Sequence, residues 1–347
     1  MSIVSCPDNT QKPKVSVFMM TYNHAPYIQQ ALESVLAQQT DFSVEIIIGE
    51  DCSTDGTREI VAEFAQRYPN QINALLHETN VGASRNQLLV LKACNGKYIA
   101  MLEGDDYWTD SLKLQKQVDF LDANPDYAVS THNVAVVSED KSYGNAKKLF
   151  YSEMPFDTLT LEELAKGNTL PTVSCVYRNY FTAGPTPTGF PDWLGKVKVG
   201  DFCLHLLAAR FGKIKYFHEV MGAYRQHLGG VWTGQSVLMR NSYFFDSVNY
   251  LKQEFSGEVR VLLNELQPRC LSEVAYLSYT LPDFKPQDFL LERQEEILSL
   301  QKEMYLPFME SYFKQVQEAR SAKYRYGKQL LAPLRWIMGK MQRIQRC

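Results

Sequence analysis

The feature that most constrains this chain is the regular alternation of two hydrophobic periods over its first 130 residues. Residues 15–20 form a short apolar run rich in strand formers, and residues 26–38 follow with Ile28, Leu32, Val35 and Leu36 on one helical face. The pattern then repeats, with strands at 44–48, 72–76 and 98–102 and helices at 57–68, 87–94 and 112–121. Strand runs that are apolar throughout, instead of at every second position, belong to sheets covered on both sides. The alternation therefore predicts an α/β fold: a Rossmann-like, mostly parallel sheet with helices on both faces.

Beyond residue 127 the pattern is mixed, with strands expected at 129–137 and 172–177, a helix at 200–210 and a strand near 214–217. From 232 onward the chain reads as helices. This divides it into an N-terminal tail (1–13), a sheet domain (14–231), a helical region (232–319) and a basic tail (320–347). The net charge of −3 argues against a nucleic-acid partner by bulk electrostatics. Seven scattered cysteines, none in a C-x-x-C pair, argue against a disulfide framework or zinc site and suit a reducing compartment. Residues 1–14 lack the features of a signal peptide, and no apolar run approaches the roughly 20 residues of a membrane span. The expected location is the cytoplasm.

In parallel sheets ligands bind beyond the carboxyl ends of the strands. After the first strand come Thr21, Tyr22 and Asn23; after the second, Glu50-Asp51-Cys52-Ser53-Thr54-Asp55-Gly56-Thr57. After the third come Asn80-Val81-Gly82 and then Arg85; after the fourth, Glu103-Gly104-Asp105-Asp106. This chemistry suits a nucleoside diphosphate. A carboxylate such as Asp51 can accept the imide N–H of uracil, and a ring such as Tyr22 can stack on the base, worth roughly 1–3 kcal/mol in single-strand binders. Glu103, Asp105 and Asp106 would repel a diphosphate unless a divalent cation, Mn2+ or Mg2+, lay between them. Taken singly, Asp51 reads as a helix cap and residues 103–106 as a solvated loop. Four polar clusters, each directly after a strand, weigh the other way.

In order and spacing these motifs resemble family 2 glycosyltransferases, whose pattern is T-Y-N after an apolar strand, a D-D-x-S-x-D-G-T turn, an N-x-G segment and a D-x-D-D motif. The resemblance covers residues 14 to 230. It implies the GT-A fold and an enzyme that moves a sugar from a nucleotide sugar, UDP-linked by family tendency, to a saccharide or lipid-linked acceptor in surface polysaccharide or glycan synthesis. It also implies that Thr21, Tyr22, Asn23 and Asp51 hold the nucleobase, that Asn80 contacts base or ribose, and that Arg85 touches base or diphosphate. Asp105 would bind the metal, Glu103 the ribose or a metal water, and Asp106 the donor sugar. Glu103 stands where the family's first Asp is usual, and the N-x-G to Arg spacing is shorter than the commonest form. In the second half, Asp201 matches the general base of an inverting transfer. Arg225 and His227, in the Tyr224-Arg225-Gln226-His227 segment, would lie near the leaving diphosphate, with His227 a candidate metal ligand.

Plainer readings compete. Asp201 could cap the helix it opens, His227 could be structural, and His132, His205 and His218 are read as structural. A catalytically inactive nucleotide-sugar scaffold would keep the pocket but need not keep Asp51, Asp105 and Asp201, which are all present. A sugar nucleotidyltransferase calls for a Gly-rich basic loop after the first strand, and Thr21-Tyr22-Asn23-His24 is not one. No G-x-G-x-x-G follows an early strand, which disfavours a dehydrogenase. Residues 320–347 contain eight Arg and Lys and no acid, with Leu334, Ile337, Met338, Met341 and Ile344 on one helical face. Such a basic amphipathic helix suits a peripheral position at a membrane surface.

Overall fold

Ile46, Ile47 and Ile48 are consecutive and all buried, which a strand allows only where both faces of its sheet are covered. The computed structural model describes residues 2–4, 12–138, 148–152, 156–183, 186–227, 229–230 and 235–280. The elements in chain order are β1 (Ser2–Val4), β2 (Val15–Thr21), α1 (Ile28–Leu36), β3 (Val44–Glu50), α2 (Thr57–Arg67), β4 (Ile72–Leu76) and α3 (Ala83–Ala93). There follow β5 (Tyr98–Glu103), β6 (Tyr107–Trp108), α4 (Lys113–Ala123), β7 (Tyr127–Ser138), β8 (Lys148–Leu149), β9 (Thr158–Leu159), α5 (Leu161–Leu164) and β10 (Val176–Arg178). Last come α6 (Gly200–Ala209), β11 (Lys213–Gln226), α7 (Val237–Glu254) and α8 (Gly257–Thr280). They divide into two compact units, Met1–Gly234 and Gln235–Cys347.

The first unit is built on one sheet in the order β1-β4-β3-β2-β5-β10-β7-β11-β6. Its centre, β4-β3-β2-β5, is parallel, with Val15 opposite both Val44 and Tyr98. The alternation read from sequence thus becomes a parallel sheet. On one face Val17, Met19, Ile46, Ile48, Ala100 and Leu102 pack with Ile28 and Leu32 of α1, Val61 of α2 and Leu114 and Val118 of α4. Each of these side chains larger than alanine stabilises the fold by about 1.5–3 kcal/mol on full burial. The other face carries α3, which lies so close to β3 that a Cβ on Gly49 would stand 2.1 Å from Asn86 Oδ1 and 2.4 Å from Val90 Cγ2. The glycine admits the hydrogen bond from Asn86 Nδ2 to the Gly49 carbonyl (2.9 Å).

The structure departs from the sequence reading of element bounds most clearly in three places. Residues 172–177 are not one strand: Thr172–Ser174 form a 3-10 turn starting after Pro171, and only Val176–Arg178 pair, antiparallel to β5 and β7. The strand near 214–217 runs on to Gln226, held by its parallel partner β7 through three shifts of register. The helix expected at 87–94 starts earlier, at Ala83. The short elements β1, β6, β8, β9 and α5 carry too few residues to show a period. Only α5 has a local sign, the reciprocal capping of Thr160 and Glu163.

In the second unit, α7 and α8 are bridged by Gln267, whose amide donates to Asn249 Oδ1 (2.7 Å) and accepts from Lys252 Nζ (2.9 Å). No helix among the described residues is long and apolar enough to cross a membrane. The basic tail expected at 320–347 lies outside the described residues. Among the described residues, Cys52, Cys94, Cys175, Cys203 and Cys270 form no disulfide.

Candidate active site

The ends of β2 and β3 are laced together by short polar side chains. Asn23, at φ 54°, presents its amide N–H to Ser53 Oγ (2.9 Å) and its Oδ1 to the Thr54 N–H (3.0 Å). Asp55 accepts from the Ala25 and Thr57 amides, and Thr57 Oγ1 in turn accepts from the His24 amide (2.8 Å). Buried Glu50 pairs with Arg58 (2.7 Å) and accepts from the Ser53 amide. Asp51 reaches across to the loop before α3, where its two oxygens accept from the Val81 (2.7 Å) and Gly82 (3.0 Å) amides, and Asn80 Oδ1 also accepts from Gly82. Beside this scaffold the Tyr22 ring is 44% exposed and Arg85 stands exposed on the first turn of α3.

The loop after β5 lies directly on the turn after β2. A Cβ on Gly104 would come within 2.7 Å of Thr21 Oγ1 and 3.1 Å of His24 Nδ1, so only glycine lets the acidic loop approach this closely. Ligand oxygens of Glu103, Asp105 and Asp106 all lie within 4.8 Å of one another. The end of β11 closes over them. The Arg225 amide donates to Asp106 Oδ1 (2.7 Å), its Nε to the Asp105 carbonyl (2.7 Å) and its Nη2 to Gln30 (2.8 Å), with the guanidinium against the Tyr27 and Tyr107 rings. His227 Nε2 donates to Asp105 Oδ2 (3.0 Å).

The electrostatics of this cluster are those of a site short of positive charge. Burial, then the charges of Asp105 and Asp201, push Glu103 up to about 8. Burial and the charges of Asp105 and Glu103 push Asp106 well above the usual carboxylate range. Burial also acts on Asp105, but the His227 hydrogen bond and the neighbouring imidazoles outweigh it and hold its carboxyl low. Asp106 Oδ2 is buried with no hydrogen-bond partner. Three carboxylates with an orphaned oxygen fit a hard divalent cation, which takes oxygen ligands and offsets like charge.

Residues 16–182 match Glycosyl transferase family 2. The resemblance to family 2 glycosyltransferases read from the motifs is borne out over this segment. Protein Rv1520 of Mycobacterium tuberculosis, which has no assigned role, is 39% identical over 219 residues, 63% of this chain and 60% of that protein. The glycosyltransferase alr2836 of Nostoc sp. is 29% identical over 218 residues, 62% of this chain and 65% of that one. The chain thus spans 60–65% of the length of these curated relatives. Among solved structures, S. aureus TarS 1-349 in complex with UDP-GlcNAc superposes with a TM-score of 0.60 at 18% identity, covering 84% of this chain and 82% of that one. Mannosyltransferase PcManGT from Pyrobaculum calidifontis, in complex with GDP-Man and Mn2+, gives 0.51 at 17% identity, covering 92% and 90%. These likenesses establish the GT-A fold.

Within the matched segment, Thr21, Tyr22, Asn23, Asp51, Asn80 and Arg85 line one sheet edge with Glu103, Asp105 and Asp106. Asp201 comes from the distant α6, yet its charge acts on Glu103, Tyr177 and Tyr224. It does not cap its helix. The N-cap is Val199, and the Asp201 carboxylate instead accepts from Asn168 Nδ2 (2.9 Å). Arg225 is tied to protein groups as a brace between the acidic loop, α1 and two rings. His132 and His205 are fully buried, each bonded to a backbone carbonyl, and His218 pairs with Asp157 at the surface (2.6 Å). Two residues escaped the sequence reading. Asn168 has no motif around it. His24 does have a signal, its place directly after T-Y-N, because every residue leaving β2 points to the same edge.

Proposed function

We propose that the protein is an inverting, metal-dependent glycosyltransferase using a UDP-linked sugar and a hydroxyl acceptor on a saccharide or lipid-linked chain. The observation that carries this reading is that Asp201 stands near enough for its charge to act on Glu103, which shares its loop with Asp105 and Asp106. That proximity supports a base on α6 acting beside the acids that would hold a donor.

In this reading Tyr22 stacks on the base, Asp51 and Asn80 fix the rim that contacts base and ribose, and Arg85 faces the diphosphate. Asp105, Glu103 and His227 would hold Mn2+ or Mg2+, and the cation when bound supplies Lewis-acid stabilisation of the departing phosphate oxygen. Asp201, oriented by Asn168 on Oδ2, takes the acceptor proton as the new C–O bond forms at the anomeric carbon and the bond to the diphosphate breaks. An ordinary carboxylate serves because the hydroxyl acidifies as it attacks. Asp106 positions the donor sugar, and Arg225 holds the acidic loop against β11. On this reading the product belongs to surface polysaccharide or glycan synthesis.

A panel of UDP-, GDP- and dTDP-sugars, screened by thermal shift with and without Mn2+, tests the reading. The true donor at about a hundred times its Kd adds about 2.7 kcal/mol of stability. Transfer should then invert the anomeric configuration, as read by NMR. Retention, or no stabilisation by any nucleotide sugar, overturns the assignment.

A further inference from the structure

His24 is largely enclosed in the turn after β2, its side chain 13% exposed, yet its ring makes no hydrogen bond that would offset that enclosure. Nδ1 is buried and unpartnered, and Nε2 stands 3.8 Å from Asp105 Oδ2, beyond hydrogen-bonding distance. Buried imidazole nitrogens are ordinarily satisfied. The backbone leaves the ring little freedom. The His24 amide donates to Thr57 Oγ1, and its carbonyl accepts from the Tyr27 and Ile28 amides as α1 begins (2.9 Å each). The ring sits edge-on to His227, with centroids 6.0 Å apart. Donor atoms of His24, Asp105 and His227 all lie within 4.8 Å of one another. Ligands of one ion with bonds of about 2.1 Å stand no more than about 4.2 Å apart. The 3.8 Å and 3.0 Å separations from Asp105 already meet that limit.

We propose that His24 is a direct ligand of the cation held at Asp105, so that two imidazoles and a carboxylate form a site complete enough to bind metal before any nucleotide arrives. This rests on the reading of a cation at Asp105. It goes further in naming the metal class: imidazole favours Mn2+, Co2+ and their neighbours over Mg2+, which prefers oxygen and water. A site built of Glu103, Asp105 and Asp106 alone would favour Mg2+ and wait for the diphosphate.

The test uses the full chain without nucleotide. Calorimetric titration should show one Co2+ or Mn2+ bound, with Mg2+ at least tenfold weaker. His24→Gln should weaken Co2+ at least tenfold and shift its visible absorption bands, with the far-UV circular dichroism unchanged. Should that variant misfold, pulsed electron paramagnetic resonance of the wild-type Mn2+ complex decides instead, with two imidazole nitrogens expected on the ion. One nitrogen, equal affinity for Mg2+, or an unchanged Co2+ affinity in His24→Gln overturns the assignment of His24. No metal without nucleotide, alongside a UDP-sugar that stabilises the protein with Mg2+, overturns this inference alone. Metal binding as described with no nucleotide sugar bound would instead overturn the transferase reading.

Discussion

The loops that follow β3 and β5 both crowd carboxylates onto one edge of the sheet, and they settle the resulting charge differently. After β3 each acid has a partner within the fold: Glu50 has Arg58, Asp51 has the Val81 and Gly82 amides, and Asp55 has the Ala25 and Thr57 amides. After β5 the acids face one another, Glu103 and Asp106 are held in the protonated direction, and Asp106 Oδ2 has no partner. The first loop is finished by folding, whereas the second is the one that the proposed cation would finish. In this pocket, then, an acid at a strand end reads as scaffold where the fold satisfies its oxygens, and as a ligand where, like Asp106 Oδ2, an oxygen is left without a partner.

The largest effect that would sharpen the contrast belongs to Asp201, the acid that joins the unfinished loop from α6. Asp201→Asn should lower transfer by about 10²–10⁴-fold, the usual worth of a positioned base, while donor affinity by calorimetry stays within about twofold. Turnover near the wild-type rate would remove Asp201 from the chemistry and leave the second loop without a catalytic partner.

A second comparison sets Asp51→Ala against Asp105→Ala. The first strands two amides that now donate to a carboxylate, and should cost about 2–4 kcal/mol in urea unfolding. The second relieves repulsion on Glu103 and Asp106, so stability without metal should stay within about 1 kcal/mol of wild type or rise, while metal binding is lost. Equal costs for both variants would break the distinction between the loops.

The third prediction concerns pH. Glu103 is raised to about 8 in the folded protein, against about 4.3 for a free glutamate. Between those values the folded state holds a proton that the unfolded state has released, so the stabilisation present at low pH is lost as pH rises. With a chelator present, the urea midpoint should fall from about pH 5 to about pH 8, and Glu103→Gln should flatten that decline. A profile identical in the variant would mean that Glu103 ionises normally.

Much of the finished loop was legible in sequence, because its chemistry is local. The D-x-S-x-D-G-T turn brings its own caps, and the strands beside it are long enough to show their period. What decides the unfinished loop comes from far along the chain. Asn168 reaches Asp201 from 33 residues away, and Arg225 reaches Asp106 from 119. Lys113 is the clearest case. A lysine in the first turn of a helix reads as solvated, yet it is fully buried with its Nζ 4.2 Å from the centroid of the Trp108 ring, and burial lowers it to about 7. That packing depends on β6, a strand of two residues with no pattern to read.

Arg85 gives the smallest and most discriminating effect. It stands exposed at the start of α3, on the loop that Asp51 clamps, so its proposed partner is the donor diphosphate rather than the fold. Arg85→Ala should leave unfolding within about 0.5 kcal/mol of wild type, as surface substitutions usually do. Donor affinity should fall about threefold to tenfold at low salt, the worth of one exposed charge contact. At roughly 1 M salt, where the screening length is about 3 Å, the gap between variant and wild type should close. A loss of stability would instead make Arg85 part of the finished scaffold. An affinity gap independent of salt would mean that it reads the base by hydrogen bonds and not the phosphate by charge.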